Sequence, residues 1–194
     1  MLSVRRPSDA EIDTFLRSQK NAALSYVAVG ATAGAPPSDY NIDHNRVQLG
    51  SGEAACDRAI AALRKWEMFN VGWVSLCWPH TPIEPACEVA ILVRLYGLWS
   101  LNACRIVYVV DEDAGVRRFG FAYGTLADHM ETGEERFTVE WRRDDDSVWY
   151  DILAFSRPRH PLARLGGPVS RALQKRFARD SLNAMAAYAK ASAS

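Results

Sequence analysis

Apolar positions along the chain recur at two periods, and the switches between them mark out its elements. Near the start, Ile12, Phe15 and Leu16 share one face of a short amphipathic helix over 8–20, opened by a Ser8/Glu11 capping box with Pro7 just outside it. Positions 22–39 are rich in Gly, Ala and Pro and read as a linker, with a short strand over 24–29 as its candidate element. Residues 40–49 read as a strand, unusually polar, ended by Gly50-Ser51-Gly52. Helix 53–66 follows, and its stripe of Ala55, Ala59, Ala62, Leu63 and Trp66 is small enough to lie close against a sheet. From Gly72 the period becomes two, giving strands over 73–78, 88–95, 102–110, 116–125, 134–142 and 148–155. After Pro158 and Pro161 the helical period returns in Leu162, Leu165, Val169, Leu173, Phe177, Ala184, Met185 and Tyr188. Gly166-Gly167-Pro168 interrupts that stripe with a kink or break, and 189–194 are expected to fray.

Six strands joined by short polar turns form a meander, which pairs antiparallel. The expected fold class is therefore α+β: one domain over 1–194, with a curved seven-stranded antiparallel sheet around a long C-terminal helix. A helix of about 25 residues is about 38 Å long. Laid across a curved sheet, it reaches the rim better than the deepest part of the concave face. A cavity between helix and sheet is the expected consequence.

The order strand, helix, six-strand meander, long helix resembles the helix-grip superfamily, also called START-like or SRPBCC. Lipid-transfer domains, plant pollen-allergen proteins and aromatic polyketide cyclases belong to it. A closer resemblance is to a bacterial and plant family within that superfamily, described as a domain of unknown function. It is carried by the run from Tyr40 to Gly50 (YNIDHNRVQLG), by Gly120 to Leu126 (GFAYGTL), by Gly133 to Phe137 (GEERF) and by Phe155 to Pro158 (FSRP). The likeness extends from about Ser25 to Met185. What it implies is a ligand cavity rather than a particular reaction.

Composition narrows the function classes. Of 194 residues 48% are hydrophobic and 10% aromatic, enough for a sizeable core, and the formal net charge is zero. A neutral chain argues against nucleic acid as the main partner. Cys56, Cys77, Cys87 and Cys104 lack the paired spacing of a zinc site, and His44, His80, His129 and His160 are scattered, so no metal is expected. The first twenty residues carry Arg5, Arg6, Asp9, Glu11 and Asp13 with no apolar run, which points to a cytoplasmic protein with reduced thiols. The apolar stretch from Val89 to Val93 is far short of the ~20 residues that span a bilayer. No Gly-x-Ser-x-Gly elbow, phosphate loop or dinucleotide fingerprint is present, and no cofactor is expected.

The candidate ligand-binding residues are Asp43, Arg105, Phe119, Phe121, Tyr123, Glu135, Phe137 and Trp141. Phe119, Phe121 and Tyr123 on one strand, and Phe137 and Trp141 on the next, share inward faces. If Val47 and Leu49 point inward, so do Asn45, Asp43 and Asn41, and His44 points out. Two readings stand for this polar strand: Asp43 anchors a ligand's head together with Arg105 or Tyr123, or an edge strand turns its polar groups to water. Arg105, set in an apolar strand, is expected to pair with Glu135, as a structural ion pair or as the polar end of a site. The 124–131 connection holds Asp128, His129 and Glu131, either as a mouth loop or as a solvated turn. Arg164, Arg171, Lys175 and Arg179 make a basic helix face, suited to membrane-surface contact or simply to solvent. The leading functional expectation is binding or carriage of a small apolar or amphipathic ligand in the cavity between sheet and C-terminal helix. The alternatives are a cyclase, dehydratase or hydrolase using Tyr123, Asp43, Arg105 or Glu135, and an interaction protein acting through the basic helix.

Overall fold

The structure, a computed structural model, describes residues 1–159 and 167–191. Its strands are β1 (Leu2–Ser3), β2 (Asn41–Ser51), β3 (Val74–Leu76), β4 (Glu88–Leu95), β5 (Leu98–Asp113), β6 (Val116–Thr125), β7 (Glu131–Arg142) and β8 (Ser147–Pro158). Its helices are α1 (Asp9–Gln19), α2 (Glu53–Arg64) and α3 (Gly167–Ala191).

The sheet runs β2-β8-β7-β6-β5-β4-β3, antiparallel throughout, so the expected seven-stranded order is present with the first long strand closing against the last. The two-residue β1 extends it by pairing with the start of β5. Bends are built in at bulges between Gln48 and Gly50 and between Ile106 and Tyr108. The β4–β5 hairpin turns on Tyr96 (φ 49°) and Gly97 (φ 80°), two adjacent left-handed residues that match the twist of a tight hairpin. For that reason β5 begins at Leu98 rather than at residue 102.

Each face of the sheet is covered differently. On the convex face α1, opened by the expected Ser8–Glu11 capping box, packs Ile12 against Ala90, Leu92 and Leu101. The outward side chains of β2 stay exposed, while over β7 and β8 that face is covered in part by the segment expected to be a linker. Its candidate strand reduces to one bridge, Leu24 to Leu126. The segment is pinned instead by the carboxylate of Glu134, 2% exposed, which accepts bonds from Tyr26 Oη (2.6 Å), Gly30 N (2.7 Å), Thr32 N (3.0 Å) and Thr32 Oγ1 (2.5 Å). The Tyr26 ring lies directly over Gly124, where any Cβ would collide with it.

On the concave face the small stripe of α2 lets Ala55, Cys56, Ala59, Ala62 and Leu63 be buried against the sheet. Trp66, left-handed at φ 59°, ends the helix, and the 3-10 turn Glu67–Phe69 carries Met68 and Phe69 inward. Above them lies α3, described from Gly167, so the expected interruption at 166–168 falls at the edge of the described residues. Leu162, Leu165, His160 and Arg164 lie outside the described residues. The expected fraying does not begin at 189, because α3 continues through Ala191 with Ala189 buried; residues 192–194 lie outside the described residues.

The glycine slot gives a stability test. Gly124→Ala is expected to destabilise the fold by about 1–3 kcal/mol, through the forced displacement of Tyr26. Gly115→Ala, whose Cβ would meet open space, should change it by less than about 0.5 kcal/mol. Urea denaturation of the two variants checks the difference.

Candidate functional site

Helix α3 packs unevenly. Its buried residues Ala178, Ser181, Met185 and Ala189 run from its midpoint to its C-terminal end, with none in its first eleven residues. There Ser181 shares a hydrogen bond with Tyr150 Oη (3.0 Å), and Asp180 accepts one from Trp73 Nε1 (3.0 Å). The first half stands off from the sheet. Under it lies a cavity of about 460 Å³, with Val169, Leu173 and Phe177 at successive four-residue steps in its roof. Tyr123, Glu135, Ile152 and Ala154 contribute to its floor, and Val93, Leu95, Leu98 and Trp99 to the side toward the β4–β5 hairpin. Phe69 marks the boundary with the filled core, its ring centroid 5.4 Å from Phe177, 6.0 Å from Phe137 and 6.3 Å from Tyr123.

Polar groups gather where α3 meets the rim of β2, β7 and β8. The Arg171 guanidinium engages both oxygens of Asp43, Nη2 donating to Oδ1 at 2.7 Å and Nη1 donating to Oδ2. Arg171 Nη1 also donates to Gln174 Oε1 (3.0 Å). Gln174 Nε2 donates to Glu131 and to Ser156 Oγ (2.9 Å). Deeper in, Tyr123 Oη donates to Glu135 Oε2 at 2.7 Å. Burial pushes the Glu135 carboxyl up to about 7; the Tyr123 bond pulls it down, and Asp43 and Glu131 add to the rise. What exposure Glu135 keeps is toward the cavity. Burial likewise raises Glu131, against its bonds from Gln174 and Ser156, and lifts the Tyr123 phenol well above its ordinary range. His129 Nδ1 accepts the Glu131 N–H (3.0 Å), and burial holds its imidazole down to about 4, so it is neutral at physiological pH.

Of the residues expected from the sequence, Asp43, Tyr123 and Glu135 meet at this cavity, with Asn45 also facing in. Arg105 does not. It lies one residue from the inward Cys104 and so points to the convex face, where it bonds Glu88 Oε1 (3.2 and 3.1 Å) and the carbonyls of Gln19, Lys20 and Ala22 at the end of α1. An Arg105–Glu135 pair is therefore excluded, since the two side chains lie on opposite faces of the sheet. Phe119, Phe121 and Phe137 do point inward, but into the filled half of the concave face: Trp66 stacks edge-on against Phe121 (4.8 Å) and Arg64 covers Phe119 (3.9 Å). Trp141 sits at the far end of β7, its Nε1 donating to Asp146 (2.9 Å). The cavity's share of the 124–131 connection is Thr125, His129, Met130 and Glu131, with Glu131 already the first residue of β7. On the basic helix face Arg171 is engaged by Asp43, while Arg176 and Arg179 pair with Asp180. His44, outward as expected, bonds Asp151 at 2.6 Å.

Sequence reasoning missed Gln174, Phe69 and Trp73, and placed Arg171 on a basic surface face rather than at the cavity rim. The spacing of Val169, Leu173 and Phe177 was a usable signal for the roof. Nothing in the linear pattern ties Arg171 to Asp43, 128 positions away.

A curved antiparallel sheet, a long terminal helix and a hollow between them define the START-like, helix-grip fold. Solved structures share the architecture: a hypothetical protein of Helicobacter pylori (TM-score 0.54, 15% identity, 86% of this chain and 96% of that one) and a START superfamily protein of Mycobacterium smegmatis (TM-score 0.50, 12% identity, 77% and 97%). The chain belongs to the family described as Domain of unknown function (DUF1990), whose model matches residues 25–184. It is 36% identical over 203 aligned residues to a UPF0548 protein of Dictyostelium discoideum, covering 95% of this chain and 94% of that relative. To a UPF0548 protein of Deinococcus radiodurans it is 38% identical, with 92% and 94% covered.

The Glu135 environment has a stability signature. The folded state binds the Glu135 proton more tightly than the unfolded chain, so stability falls as pH rises from about 4.5 to about 7 and the penalty is complete above that. Glu135→Gln keeps the Tyr123 bond and removes the charge. It should be more stable than the parent by about 1–3 kcal/mol at pH 8 and nearly equal to it at pH 4.5, read by chemical denaturation at both.

Proposed function

We propose that the protein binds a small apolar or amphipathic molecule in the cavity between α3 and the sheet. The observation that carries this reading is the cavity itself, about 460 Å³ with apolar walls and polar groups gathered at one end. That size and lining suit a small-molecule site, in which apolar area supplies affinity and a few placed polar groups set orientation. The START-like fold, common among binders of hydrophobic ligands, supports the same reading.

A second reading, an enzyme of the cyclase, dehydratase or hydrolase kind, draws on one feature. Tyr123 and Glu135 form a hydrogen-bonded pair in the cavity wall, and a carboxyl near 7 suits proton transfer at neutral pH. Consumption of a bound molecule that stops in Glu135→Gln while binding persists would favour it over carriage.

Binding is tested with N-phenyl-1-naphthylamine, a neutral apolar dye whose fluorescence rises on leaving water. The protein should bind it with saturation at one site. Ala154→Trp places an indole in the cavity floor and should weaken binding at least tenfold. A circular dichroism spectrum matching the parent's would show that the fold is kept. Equal dye binding by the parent and Ala154→Trp would count against this cavity as the site.

A further inference from the structure

The charge around the cavity is one-sided. Among the described residues its lining includes Asp43, Glu131, Glu134 and Glu135, and no lysine or arginine. Two of these acids are accounted for by the fold: Asp43 is engaged by Arg171, and Glu134 turns its carboxylate to the convex face to hold the 26–32 segment. Glu131 and Glu135 remain, and their hydrogen-bond partners are neutral: Gln174 and Ser156 for the first, which also feels the Arg171 charge held by Asp43, and Tyr123 for the second. Glu135 Oε1 accepts no hydrogen bond among the described residues, although Oε2 of the same carboxyl is bonded. His129 beside them is uncharged at neutral pH and supplies no counter-charge.

Two carboxyls with no cation hydrogen-bonded to them among the described residues, in an apolar hollow, disfavour an incoming anion, which would have to shed its hydration to sit beside them. A cation entering the same place gains what they lack. A protonated amine offers N–H donors to Glu135 Oε1 and Glu131, and the aromatic rings of Phe69 and Phe177 line the same cavity. The apolar remainder of the cavity then takes the body of the molecule.

We infer that the occupant is a cationic amphiphile, an aliphatic or aromatic amine whose protonated nitrogen lies at the Glu131–Glu135 end and whose apolar body lies beneath the first half of α3. This rests on the binding function proposed above and names the chemical class of ligand. Fatty acids and phosphate-headed lipids without a cationic group are the wrong sign for this end of the cavity.

A pH dependence follows. Glu135 is faced by Tyr123 from β6, Cys104 from β5, Tyr150 from β8, Asp43 from β2 and Glu131 from its own strand; α3 brings Arg171, held by Asp43. An amine favours the ionised carboxyl, so amine affinity should rise between pH 6 and pH 8, where an alkylamine stays protonated.

The test compares three ligands with one ten-carbon chain: decylamine, decan-1-ol and decanoate. Each displaces N-phenyl-1-naphthylamine from the full chain, below its micelle-forming concentration. At pH 8 decylamine should bind at least tenfold more tightly than decan-1-ol, and decanoate most weakly, with the amine's affinity rising severalfold from pH 6. Glu135→Gln should cut the amine's advantage over the alcohol about tenfold. Glu131→Gln provides the same comparison if the first variant unfolds. Alcohol or decanoate binding as tightly as the amine would overturn the cationic assignment and leave the cavity as a binding site. Binding of none of the three would overturn the assignment together with the binding function it rests on.

Discussion

A single aromatic side chain, Phe69, divides the concave face of this sheet into a filled half and an empty one. It is delivered by an irregular turn: Trp66 in a left-handed conformation stops α2, and one 3-10 turn swings Met68 and Phe69 under the sheet. On one side of Phe69 the close-packing helix α2 and the rings of Trp66, Phe121 and Phe137 complete a core. On the other side the only overlying element among the described residues is the first half of α3, which is too far from the bent sheet to fill the space with its own side chains. The hollow thus follows from one helix covering a curved surface with help at one end only.

The first half of α3 lacks core burial, and polar bonds hold it instead. Arg171 grips Asp43, and Gln174 reaches Glu131 and Ser156 at the rim. Each bond places polar atoms beside an apolar hollow, and satisfying them with one another removes most of the desolvation cost. Glu135 has one partner for two carboxyl oxygens, and its raised pKa is the physical mark of that shortfall. Buried polar groups left short in a cavity are where a ligand has something to gain.

Much of the fold was legible. β6 runs over the residues that the alternation marks, because period-two patterning survives where one face is core and the other contains small residues or charge, and β4, apolar on both faces, runs over the expected residues as well. β5 was harder. Helix α1 covers Leu101 on its convex side and Ala103 is also buried, while Cys104 and Ile106 face the concave core, so apolar residues run through both faces and hide which way Arg105 points. The role of 22–39 was invisible because its anchor is a carboxylate more than 100 positions away that bonds backbone N–H groups, which leave no trace in side-chain pattern. In the site, Asp43, Tyr123 and Glu135 followed from strand parity. Phe119, Phe121 and Phe137 had the right parity and the wrong half, since parity says which face a residue is on and not how far along the sheet α2 extends.

The hollow beneath the first half of α3 is most directly tested by native mass spectrometry of the chain and of Ala154→Trp, each purified without detergent from cells and sprayed from neutral volatile buffer. The parent should carry a small-molecule adduct that gentle activation releases, and the variant with an indole in the cavity floor should fly without it. The same adduct on both chains, or bare chain mass for both together with no uptake of added decylamine, decan-1-ol or dye by the parent, would contradict the account.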